Sequence, residues 1–322
     1  MLVLVAPGQG AQTPGFLTPW LDLPGVTDRL REWSDAIDLD LVHYGTNADA
    51  DEIRDTAVAQ PLLVASALVS AGQLFPTADD FSRLVGAAAG HSVGELAAAA
   101  LTGVLSERTA MELVRKRGLA MAEAAAVTET GMSALLGGDP ENVLPHLEKL
   151  GLTPANVNGA GQIVAAGTAE QLAALAEDKP EGTRKVVALK VAGAFHTHHM
   201  APAVSVLEAA VAEVEAAQPR TRYVSNKDGQ VVGDGDEVVR RLVGQVANPV
   251  RWDLCMETFK ELGVTALIEV APRRDPRGPG QARPAGREDP RAQEPGRPRR
   301  GPRADRRARR RRRPGRIRSP RA

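Results

Sequence analysis

The sequence predicts an α/β protein in which a mostly parallel sheet is covered on both faces and a smaller domain is inserted into the chain that builds it. Three observations lead there. In the first half, short apolar runs ending at glycine or proline alternate with longer helical segments. A Gly-x-Ser-x-Gly stands between one such run and the helix that follows it. From residue 128 to residue 191 the elements shorten and follow the order strand–helix–strand twice over.

The elements follow in order. Residues 2–6 form an apolar run stopped by Pro7 and Gly8, the mark of a buried strand. Residues 27–37 and 60–75 read as helices. Residues 84–89, closed by Gly90, read as a second buried strand. Helices are predicted over 94–103 and over 106–126, the second starting at Ser106. Within the insertion, strands are predicted at 132–136, 154–158, 163–166 and 184–191. A helix over 140–150 has proline in its first turn, and one over 168–175 has Thr168 as N-cap with Gln171 in the capping-box position. That order is the ferredoxin-like pattern. A helix near 200–216, a strand near 222–226, helices near 236–246 and 252–262, and a strand over 266–270 complete the larger domain.

Composition excludes several classes. The chain has 322 residues, of which 43% are hydrophobic and only 3% aromatic, so its core is filled by Ala, Val and Leu. Cys255 is the single cysteine, which excludes a disulfide framework or a cysteine-based zinc site. No uncharged apolar run is expected to reach the ~20 residues of a membrane span, and no leader segment is read at the start. A cytoplasmic setting is expected. The net charge of zero sums two unlike parts. Residues 273–322 hold 20 Arg and 5 acidic residues against 40 basic and 40 acidic in the whole chain, which leaves residues 1–272 at −15. With 9 Pro and 6 Gly besides, the tail lacks the side chains of a core and is expected to be disordered.

The sharpest chemical signal is Gly90-His91-Ser92-Val93-Gly94-Glu95. Between a strand and a helix, this pattern is a nucleophile elbow, which gives the larger domain an α/β-hydrolase-like character. The elbow lifts Ser92 at the carboxyl edge of the sheet, and the helix after it directs N–H groups and its positive dipole end toward an oxyanion. A serine needs a base. His196, in Ala194-Phe195-His196-Thr197, follows a predicted strand and would share that edge if the strand joined the same sheet. His196, His198 and His199 also allow a metal cluster, but no nearby Cys or carboxylate completes one. His91 competes for the base role, although side chains at adjacent elbow positions diverge. Gly8-Gln9-Gly10 lacks the rest of a nucleotide loop and makes better sense as a source of one oxyanion N–H. From spacing alone, Arg115-Lys116-Arg117 reads as a solvated basic face.

In combination and in order, these motifs resemble the malonyl-CoA:acyl-carrier-protein transacylase family of fatty acid and polyketide synthesis. They are Pro7-Gly8-Gln9-Gly10-Ala11-Gln12, Gln60-Pro61, the elbow, Arg117-Gly118, Gly131-Met132, Gly193-Ala194-Phe195-His196 and the run from Gln245 to Trp252. The resemblance implies a malonyl-serine intermediate on Ser92, with His196 as base for the serine and then for the carrier thiol. It implies an oxyanion hole from the N–H groups of Gln9 and Val93, and Arg117 as the partner of the malonyl carboxylate. It implies that Gln245 orients the histidine through its backbone carbonyl, that Gln60 lines the pocket, and that His91 neighbours the acyl group. Phe195 beside the base favours malonyl over a branched acyl group. The expected partners are malonyl-CoA and an acyl carrier protein bearing phosphopantetheine. No cofactor, metal or membrane is expected, and the chain is expected to be a monomer.

Two other readings stand beside this one. A serine hydrolase or esterase could use the same elbow, with Asp139 acceptable by chain order as the third group of a triad. A nucleic-acid-binding arm could be built from the tail, although a basic arm with no lysine is odd. The tail departs from the family after Pro272. Its Arg, Pro, Gly and Ala content fits GC-rich DNA read out of frame, so a reading-frame slip near Pro272 or Arg273 is expected, testable by resequencing that codon.

Overall fold

A computed structural model describes residues 1–272 of the chain. The segment 273–322, and with it the expectations of disorder, of a basic arm and of a reading-frame slip, lies outside the described residues.

Ten strands run through the described residues: β1 (Leu2–Ala6), β2 (Ala87–Gly90), β3 (Thr130–Gly137), β4 (Thr153–Gly159), β5 (Gln162–Thr168), β6 (Thr183–Ala188), β7 (Arg222–Val224), β8 (Val231–Val232), β9 (Val250–Arg251) and β10 (Ala266–Glu269). They form two five-stranded sheets. The first has the order β10-β1-β2-β7-β8; its first four strands are parallel and β8 is antiparallel. Along β1, Leu4 and Ala6 enter the core on one face while Val3 and Val5 enter a second core on the other. Both faces are covered, which is why β1 is apolar at every position. Ala6 lies opposite Gly90, so the loops after β1 and β2 leave from one edge. That register brings the Gln9 loop and the elbow serine together.

The second sheet has the order β6-β3-β5-β4-β9. Its pairs β3–β6, β3–β5 and β4–β5 are antiparallel, and Leu135, Val143, Leu147, Ile163 and Leu175 give it a core of its own. Thr168 caps the helix Ala169–Glu177 through the capping box that the sequence predicts. The strand predicted at 184–191 within the insertion is β6 and pairs with β3 in this second sheet, so the condition for His196 to share the edge that carries Ser92 is not met. The sheet also recruits β9 from beyond the insertion, pairing Asn156 with Val250 and Val157 with Arg251.

Other boundaries shift for local reasons. The strand predicted from residue 84 begins at Ala87, because Leu84 closes a helix, Ala78–Leu84, whose N-cap Thr77 accepts from the Asp80 N–H. Helix Leu41–Thr46, capped by Asp40, has no counterpart in the sequence reading. Helix Thr56–Leu74 corrects the expectation about membrane-length runs. It is long and apolar enough to cross a membrane by length and composition. Here it is a core helix, buried along nearly its whole length against the protein. Pro61 sits inside it and offers no N–H to the carbonyl four residues back. That carbonyl, Ala57 O, accepts from Arg115 Nη1 at 2.8 Å instead. Arg115 therefore serves the Gln60-Pro61 motif rather than a solvated face.

Candidate active site

The elbow is fixed by sterics. A Cβ on Gly90 would fall 1.9 Å from the carbonyl carbon of Gly94, and a Cβ on Gly94 would fall 2.5 Å from the carbonyl oxygen of Ala6. Only glycine fits at either place, and between them Ser92 takes a left-handed conformation with φ of 53°. A second residue in that region is His196, with φ of 63°. Such strain in non-glycine residues persists where the surroundings over-determine it. Asn226, in the loop after β7, provides much of that restraint. Its Oδ1 accepts from the Ser92 N–H at 2.8 Å and its Nδ2 donates to Gly90 O at 2.8 Å.

His196 arrives in the loop that follows β6, and its N–H donates to Val246 O at 3.0 Å. The two side chains meet: Ser92 Oγ lies 2.8 Å from His196 Nε2. The opposite ring nitrogen, Nδ1, lies 2.9 Å from the backbone oxygen of Gln245. A carbonyl can only accept, so Nδ1 carries the hydrogen and Nε2 is left to take a proton from the serine. Burial, and then the charge of Arg117, lowers the histidine pKa to about 4, so the ring is neutral at neutral pH. Asp139, acceptable by chain order as a triad acid, instead caps the helix Pro140–Lys149 in the insertion.

Arg117 is buried, which overturns the reading of its basic triplet as a solvated face. Its Nη1 donates to Gln60 Oε1 at 2.6 Å and its Nη2 to Gln245 Oε1 at 2.8 Å. Nη2 also stands 3.4 Å from Ser92 Oγ. Burial lowers its pKa to about 10, opposed by the nearby Glu95, and it remains a cation at neutral pH. These groups line a cavity of about 580 Å³ with Gln9, Gln60, His91, Val93 and Phe195. Val93 is the N-cap of the helix Gly94–Leu101, and Gln9 stands in the turn after β1. His91 turns away from the serine: its Nε2 lies 3.1 Å from Asn158 Oδ1, and its ring packs edge-on against Trp252. His198 and His199 stack on each other at 4.2 Å. Among the described residues, no group of three or more His, Cys, Asp or Glu could hold a metal ion.

Two site residues have no role assigned to them by the sequence. Asn226 gives no local signal beyond its place at a strand end. Glu95 ends the elbow motif, in the first turn of the helix Gly94–Leu101, and nothing local marks it out. It is in fact buried, accepting from the Asn226 N–H at 2.7 Å and from Gln245 Nε2.

An elbow serine, a neutral histidine and a buried arginine share one cavity, side chains suited to nucleophilic chemistry. Residues 3–273 match the acyl transferase domain family, and the chain belongs to it. The malonyl CoA-acyl carrier protein transacylase of Mycobacterium tuberculosis is 51% identical over 272 residues, 84% of this chain and 89% of that protein. The crystal structure of MCAT from Mycobacterium tuberculosis superposes with a TM-score of 0.81 at 50% identity, over 84% of this chain and 89% of that one. A malonyl-transacylase in complex with its type II PKS acyl-carrier protein superposes with a TM-score of 0.76 at 28% identity, over 83% of this chain and 88% of that one.

Proposed function

We propose that this chain moves a malonyl group from malonyl-CoA to the phosphopantetheine thiol of an acyl carrier protein, through a malonyl ester on Ser92. The observation that carries the proposal is the buried Arg117 guanidinium, 3.4 Å from the serine oxygen and facing the same cavity. A buried cation beside a nucleophile disfavours a neutral acyl group and suits one that ends in a carboxylate.

The chemistry balances with this chain's own residues. Ser92 Oγ attacks the thioester carbonyl while His196 Nε2 takes its proton. The C–S bond then breaks, and coenzyme A leaves with that proton. In the second half the carrier thiol attacks the serine ester, His196 takes the thiol proton, the C–O bond breaks, and Ser92 regains its hydrogen. The N–H groups of Gln9 and Val93 serve the oxyanion. Gln245 orients the base through its carbonyl, Gln60 braces Arg117, and Phe195 and His91 bound the acyl group. The names of the relatives and the carrier-protein complex support this assignment.

The domain reading belongs to the same proposal. Residues 1–127 and 192–272 form an α/β-hydrolase-like catalytic domain, and 128–191 a ferredoxin-like insert. The strand order β6-β3-β5-β4 supports the second part. The test is transfer of labelled malonyl from malonyl-CoA to a carrier protein, run beside a hydrolysis control. Label on the carrier is expected. Label released only as free malonate would support the hydrolase reading instead.

A further inference from the structure

Glu95 takes no part in the chemistry above, yet it is one of the most deeply buried charged groups in the described residues, 1% exposed. A carboxylate so placed needs donors around it. Oε1 accepts from the Asn226 N–H at 2.7 Å, and Oε2 accepts from Gln245 Nε2. The Tyr223 hydroxyl faces the same carboxylate without completing a hydrogen bond of normal geometry.

We propose that Glu95 is a positioning residue that, by accepting from Gln245 Nε2, holds the Gln245 amide with Oε1 toward Arg117 and so aims the guanidinium at the acyl carboxylate. This inference rests on the malonyl reading of the site.

The argument is one of donors and acceptors. The nitrogen end of the Gln245 amide faces two acceptors, Glu95 and Ser92 O at 3.0 Å, and the oxygen end faces Arg117 Nη2 at 2.8 Å. Turned over, the amide would set N–H against N–H and oxygen against oxygen. An ionised carboxylate only accepts, so it enforces the observed orientation. A protonated carboxyl can donate, so it no longer enforces that orientation, which Ser92 O and Arg117 alone then hold. Gln60 still grips the other arm of Arg117 at 2.6 Å. Losing the Glu95 charge therefore loosens one of two anchors and weakens malonyl recognition without dismantling the site.

The charge of Glu95 is open to titration. Burial pushes its pKa up to about 7, against the Asn226 and Gln245 donors, the nearby Tyr223 hydroxyl and the charge of Arg117. The other titratable groups around it hold one state through neutral pH. Arg117 stays cationic, Tyr223 and Cys255 are pushed up and stay neutral, and His196, beyond Arg117, is pushed down.

The experiment measures kcat/KM for malonyl-CoA and acetyl-CoA on the full chain from about pH 5.5 to about pH 8.5, and follows their ratio, in which steps common to both substrates cancel. In the parent the ratio should rise with pH in a single step near 7. In Glu95→Gln the ratio should fall by about tenfold at the alkaline end and lose the step. Tyr223→Phe, which retains the fold-filling ring, should move the step to higher pH. A flat parent ratio, or a Glu95→Gln variant with the parent's ratio and profile, overturns the inference. If Glu95→Gln does not fold, the parent profile and Tyr223→Phe decide it alone. A parent that acquires no malonyl adduct overturns the functional reading itself, and this inference with it; that failure is seen by mass before any ratio is taken.

Discussion

Replacing Arg117 by alanine separates substrate recognition from chemistry. The guanidinium lies beside the serine oxygen, 3% exposed, and in the complex it would meet a carboxylate that has left water. Removing one partner of a buried charge pair costs about 3–5 kcal/mol. Water entering the vacated space offsets part of this, so the loss in malonyl transfer should be about 3 kcal/mol, or roughly a hundredfold in kcat/KM. Acetyl-CoA brings no carboxylate, so its transfer should hold or rise. The two amide oxygens that Arg117 now satisfies, on Gln60 and Gln245, lose their donor and should lower folding stability by about 1–3 kcal/mol each where water does not reach them. A second signature follows from charge. Arg117 is one cause of the low His196 pKa of about 4, so in the variant the acid limb of acetyl transfer should move to higher pH. The assay is kcat/KM for both acyl-CoAs over pH, on protein whose fold is checked by circular dichroism. Equal losses on the two substrates would refute the reasoning and make Arg117 a structural residue.

Ser92→Ala should abolish the malonyl adduct seen by intact-protein mass spectrometry, and His196→Ala should slow both half-reactions, because one base serves both. A variant slowed in only one half-reaction would point to a second base. Gly94→Ala should fail to give soluble folded protein or lose several degrees of Tm, since its methyl would fall 2.5 Å from Ala6 O; a parent-like melting curve would contradict the close approach. The buried histidine and glutamate act on stability in opposite directions. Unfolded histidine takes its proton near 6.5 and His196 only at about 4, so acidification between those values destabilises the fold. Glu95 takes its proton at about 7 and the unfolded residue at 4.5, so acidification there stabilises it. In His196→Gln only the second effect remains, and its urea midpoint should rise relative to the parent as pH falls from about 6.5 to about 4.5.

What could be read from the sequence was local. The elbow was legible because its two glycines are demanded by backbone contacts a few residues apart or across one strand pair. The Thr168 capping box and the Ser106 cap were legible for the same reason. Arg117 was not, because a charge in a helical pattern is ordinarily solvated, and the acceptors that bury it lie 57 and 128 residues away in the chain. Only the family motif pointed to its role. Asn226 reaches the elbow across 134 residues, and its type at a strand end signals nothing of that. That β9 joins the small sheet depends on pairing partners, which periodicity along one strand does not encode. Two-residue β9 is too short to carry a period at all.

That short strand has a mechanical consequence. It pairs with β4 of the insert, its Arg251 N–H holds Asn226 O at 2.8 Å, and it follows directly on the Gln245–Pro249 segment that orients the base. The insert is thus tied to the elbow and to the histidine through this strand, beside the His91–Asn158 contact and the Ala194 N–H bond to Thr130 Oγ1. Tilting the small sheet to admit a bulkier acyl chain would drag the same strand and slacken the alignment of serine and base. Room for a larger substrate is better made by trimming side chains such as Phe195 in place than by loosening the wall of the cavity. Attempts to broaden the substrate range by remodelling the insert should lose rate on every substrate together.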